Sequence, residues 1–63
     1  MLFLQTETGS LIAGKFVTRI GALNTRPNNP RRWHEIDYVH GQDACSTTAS
    51  EDAVLDFLDE AQP

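Results

Sequence analysis

His34, Glu35, Asp37 and His40 are all metal-ligand types and lie close together in the chain. Alternation along a strand separates them again. The two histidines are six positions apart, and at ~3.3 Å per residue their backbones stand ~20 Å apart. Zinc takes imidazole nitrogens at ~2.0–2.1 Å, so one strand cannot bring both to one ion. Glu35 and Asp37 point to the face opposite both. We therefore read strand-end histidines partly in water and expect no metal and no cofactor.

Cys45 with His34 or His40 has the residue types of a thiol nucleophile and its base. A reactive thiolate needs a nearby cation or a helix N-terminus, and the sequence places Asp43 beside it instead. A small strand residue is the expectation. Glu35 and Asp37 share one strand face ~7 Å apart, a separation that acid–base chemistry can use. Any strand with charges at i and i+2 does the same, so we read them as solvated and as partners for Arg19. No Gly-rich phosphate loop or nucleotide fingerprint is present, and we expect no enzyme.

Arg26, Arg31 and Arg32 with Trp33 make the most suggestive group. Cations beside an exposed aromatic could hold phosphates while the indole stacks on a base. They could equally meet an acidic surface of another copy or another protein, with Trp33 as the anchor. A third reading is a solvated loop needed only to connect two strands; between the two partners, the balance of charge favours protein. Residues 1–50 carry five bases against four acids, whereas residues 51–63 carry five acids and no base, and the whole chain stands at −4. An all-acidic segment repels a polyanion.

The elements that must position these groups are few. Ala53, Val54, Phe57, Leu58 and Ala61 fall on one side of a helix over Ser50 to Ala61, with Leu55 at the edge and Asp52, Asp56, Asp59 and Glu60 opposite. Ser50 is its N-cap, and Glu51 and Asp52 suit the positive end of the dipole. Met1 to Thr6 reads as a strand with Leu2, Leu4 and Thr6 on one face, and Thr8-Gly9 as a turn. Ser10 to Leu23 reads as one long strand, bent near Ala13-Gly14, with Ile12, Gly14, Phe16, Thr18, Ile20 and Ala22 on one face. The alternative divides it there into two. Asn24 to Arg32, with Pro27 and Pro30, reads as a nine-residue loop. Trp33 to Val39 resumes alternation with Ile36 and Tyr38 inward, Gly41-Gln42-Asp43 turns, and Ala44 to Ala49 is a last short strand.

The expected fold is α+β: a small antiparallel meander of three to five strands with one C-terminal helix packed on the sheet, in a single domain over 1–63. Forty per cent hydrophobic residues suits a folded chain. A domain of this size buries only ~60% of the surface its unfolded chain exposes. One cysteine makes no internal disulfide and fits a reducing compartment. MLFL is too short for a secretory signal, and no stretch is long enough to span a membrane, so a cytoplasmic location is expected. The far sheet face would carry Phe3, Val17, Leu23, Trp33 and Val39, an apolar patch that implies a partner. We therefore expect a non-enzymatic, self-associating interaction or regulatory module, a homodimer by preference. Phe3 and Val17 would sit in a sheet-face interface, and Arg26, Arg31, Arg32 and Trp33 would make contacts. A small nucleic-acid-binding module using Arg26–Trp33 is the alternative.

Overall fold

The computed structural model describes residues 2–61; Met1, which opens the expected first strand, and Pro63, beyond the helix, lie outside the described residues. Its elements are β1 (Phe3–Gln5), β2 (Leu11–Ala13), a 3-10 turn over Gly14–Phe16, β3 (Val17–Arg26), β4 (Asn29–His40), β5 (Asp43–Ser50) and α1 (Glu51–Ala61). β1 and β2 form a two-stranded hairpin, and β3, β4 and β5 form an antiparallel meander. α1 packs on β1, β4 and β5, which makes the α+β arrangement.

The β1–β2 hairpin pairs Leu4 with Ile12 on its inner face and leaves Phe3 and Leu11 on the outer one. Its connection is closed by Thr6, whose amide donates to the Ser10 carbonyl at 2.8 Å. The buried Thr6 hydroxyl also accepts from the Ser10 amide at 3.2 Å, so no polar atom is stranded there. The hairpin joins the meander through the Glu7 amide, which donates to Thr48 on β5 at 3.0 Å.

The long strand expected from Ser10 to Leu23 is not formed. The chain leaves the hairpin at the 3-10 turn and enters the meander as a separate strand. The Gly14 amide donates to the Leu2 carbonyl at 2.8 Å. A side chain at Gly14 would place its Cβ 3.1 Å from Cε1 of Phe57, so the break is also where the helix comes closest to the backbone.

β3 also departs from strict alternation. Val17 faces Tyr38, Arg19 faces Asp37, Ile20 faces Ile36 and Leu23 faces His34, so β3 gains one residue on β4 at each of two bulges. Each bulge reverses the inside–outside phase. Val17, Ile20 and Leu23 therefore share the face that bears His34, Ile36 and Tyr38, and Val17 and Ile20 pack against the core. Phe16, expected inward, is 44% exposed. Of the apolar far face expected from Phe3, Val17, Leu23, Trp33 and Val39, only Trp33 and Val39 stay on the face of Glu35 and Asp37, since Val17 and Leu23 have turned to the Ile36 face. Phe3 belongs to the other sheet, and the far face of the meander carries Glu35, Asp37, Ser46 and Thr48.

The nine-residue loop is likewise strand. Arg26 pairs with Asn29 across a two-residue turn of Pro27 and Asn28, and Asn28 has φ 59°. Proline followed by a residue of positive φ has the φ signs of a type II turn. Pro30 and Arg31 have no partners on β3 between the Thr25–Arg32 and Arg26–Asn29 pairs, so the missing proline N–H costs the ladder nothing. The Asn29 side chain accepts from the Arg31 amide at 2.9 Å in place of a ladder bond. At the other end of β4, Gly41 at φ 63° turns the chain into β5 across the His40–Asp43 pair.

α1 begins where the sequence places it. The Ala53 amide donates to the Ser50 hydroxyl at 3.2 Å, which satisfies one free donor of the first turn. Val54 and Phe57 are buried with Leu4, Ile12, Ile36 and Ala49. Leu4, Ile36 and Val54 are fully enclosed, each contributing ~1.5–3 kcal/mol of burial. Leu58 and Ala61, expected on the same buried face, are exposed.

Candidate functional site

The turn and bulge at the start of β4 gather Arg26 and Arg31 around Trp33. The Arg31 guanidinium lies 3.9 Å from the centre of the Trp33 ring and that of Arg26 5.6 Å, both within cation–π range. Arg31 also makes a forked contact with Glu7, Nε to Oε2 at 3.0 Å and Nη2 to Oε1 at 2.6 Å. Arg32, on the opposite face of β4, forks onto Glu51 in the first turn of α1 at 2.9 and 3.3 Å. Paired donors of this kind are the strong form of the arginine–carboxylate contact.

Electrostatics follow the geometry. The Arg31 hydrogen bond, helped by one from Thr48, lowers the Glu7 carboxyl from 4.5 to about 2, with partial desolvation opposing. Glu51 is lowered by its bond to Arg32, and both guanidinium groups are raised in turn. The cleft of about 280 Å³ between Pro30, Arg31, Arg32 and the start of α1 therefore has both signs of charge on its walls. A phosphate entering it would have to displace Glu7 and Glu51 from the two arginines.

Arg26 and Arg31 are thus brought to Trp33 while Arg32 turns away to Glu51, and Phe3 and Val17 are not brought together. Phe3 is 42% exposed on the outside of the hairpin, and Val17 lies against the core. Sequence reasoning missed the residues that do surround Phe3. Leu11, Phe16, Tyr38, Val39 and His40 line with it a groove of about 290 Å³ between the hairpin and the end of β4. Leu11 is 63% exposed and Phe16 44%, so three large apolar side chains border one depression. The signal was present as the alternation of Phe3 against Leu4. Phe16 could be placed there only by knowing that β2 ends at Ala13.

The other candidates are dispersed. His34 and the Gly21 carbonyl are 2.8 Å apart through Nδ1, where the ring N–H donates across the β3 bulge. Asp37 accepts from Ser46 at 3.0 Å and faces Arg19 at 3.5 Å. Cys45 is half-buried opposite Tyr38. Among the described residues, no three His, Cys, Asp or Glu side chains converge. No helix among them is long and apolar enough to cross a membrane. No protein-family model, no curated protein and no solved structure matches this chain.

Proposed function

We propose that this chain is a non-catalytic module that acts by contact and associates with further copies of itself, in the cytoplasm, whose reducing conditions suit its single unpaired thiol. The observation that carries this reading is the groove of Phe3, Leu11 and Phe16. Six buried apolar residues form the core among the described residues, while these three large ones stay in water. Covering ~100 Å² of apolar surface is worth ~2.5 kcal/mol, so a second copy stabilises a chain with so small an interior. The basic cluster gives less support to a nucleic-acid module, since Arg31 and Arg32 already hold carboxylates of their own chain.

Sedimentation velocity over a concentration series tests the proposal. A mass rising above 7.0 kDa with concentration is expected. One species of single-copy mass at every concentration overturns it.

A further inference from the structure

The chain presents a second apolar surface, and its chemistry complements the first. Leu55 and Leu58 are 56% and 41% exposed, and positions i and i+3 of a helix are neighbours on its surface. Val54 and Phe57 anchor α1 inward, so the two leucines form a stripe along its flank. Both this stripe and the groove are open in the single chain, so neither covers the other. We propose that copies associate head to tail, the Leu55–Leu58 stripe of one lying in the Phe3–Leu11–Phe16 groove of the next. This rests on the self-association proposed above and names the surfaces that meet.

Charge selects this pairing over the symmetrical ones. Asp52, Asp56, Asp59 and Glu60 make no ion pair among the described residues, so the stripe lies on an acidic helix. Phe16 of the groove carries Lys15 beside it, the ammonium 5.2 Å from the ring and without an ion pair among the described residues. His40 lines the groove too, but it faces Asp43 across the β4–β5 turn, so Lys15 is the cation that matters. A two-fold dimer through the helices would set Asp52 and Asp59, which flank the stripe, against their own copies, and one through the grooves would oppose two lysines. Helix in groove brings opposite signs together. Such an interface is heterologous and leaves one helix and one groove unsatisfied at the ends of every open assembly.

Two double variants separate the surfaces. Leu11→Asp with Phe16→Asp blocks the groove, and Leu55→Asp with Leu58→Asp blocks the stripe; circular dichroism melts confirm that each folds. Each alone is expected to sediment as a single copy, and an equimolar mixture as a two-copy complex that grows no further. A stripe variant that associates as tightly as the unmodified chain overturns the head-to-tail pairing and leaves self-association standing, as does a mixture that stays monomeric. An unmodified chain that is monomeric overturns both. Should either double variant unfold, Lys15→Glu and Asp59→Lys alter only surface charge. Each is expected to weaken association ~10-fold and the pair together to recover most of it, and an unchanged affinity overturns the proposal.

Discussion

Replacing Gly14 with alanine tests how α1 is seated. The new Cβ would stand 3.1 and 3.2 Å from Cε1 and Cζ of Phe57 and 3.4 Å from Cδ2 of Leu2, where carbon atoms prefer ~3.5–4.0 Å. The Phe57 ring cannot simply retreat, because it is packed among Leu4, Ile36 and Val54, which are themselves fully enclosed. Overpacking of this kind costs ~1–3 kcal/mol. Gly14 does not occupy the left-handed region, so alanine also narrows the unfolded ensemble and returns ~0.4–1 kcal/mol. The net expectation is a loss of ~1–2 kcal/mol, or a fall in Tm of ~4–16 °C for a domain of this size. In a Phe57→Leu background the ring tip is gone, and the same alanine should be neutral or slightly stabilising. Thermal melts of the four proteins give the coupling directly. Equal shifts in both backgrounds would show that the ring does not lie against Gly14.

Glu7 supplies a pH test. Arg31 holds its carboxyl at about 2, whereas the unfolded chain titrates it near 4.5, so the fold favours the charged form. The contribution is complete above pH 4.5 and disappears as the pH falls from 4.5 towards 2. The contact is partly open to water, so the effect is small. Glu7→Gln should flatten the acid limb of Tm against pH, and identical limbs would remove Glu7 as its source. At the β3–β4 turn, Asn28→Val should cost ~1–2 kcal/mol, because a β-branched residue resists the observed φ of 59°, while Asn28→Gly should melt at or above the parent temperature. A valine variant with unchanged Tm would place residue 28 outside the left-handed region.

α1 was legible because its signals agree. Ser50, the acidic first turn and the spacing of Val54 and Phe57 all specify the same helix, and the Ser50 cap is formed. Leu4, Thr6 and Ile36 were equally plain from alternation. The bulges of β3 were not, since nothing in Thr18 or Ala22 announces an extra residue, yet each one turns the following residues over. That is why Val17 and Leu23 were assigned to the wrong face. Pro27 and Pro30 concealed the β3–β4 hairpin by the same local rules that identify loops. One occupies the turn itself and the other an unpaired stretch, so neither has to donate to the ladder. The basic cluster was visible as composition, but its carboxylate partners lie 24 and 19 residues away in sequence and could be found only by folding the chain.

The core draws Leu4 from one end of the chain and Val54 and Phe57 from the other, with Ile36 between them. During synthesis the two tight turns of the meander let β3, β4 and β5 zip up early, because each hairpin closes over neighbouring residues. The covering of that ribbon is completed only when Val54 and Phe57 of α1 join Leu4 and Ile12 over Ile36. Loss of the helix would therefore take Val54 and Phe57 off Ile36 and leave part of the sheet open for chaperones and proteases to find.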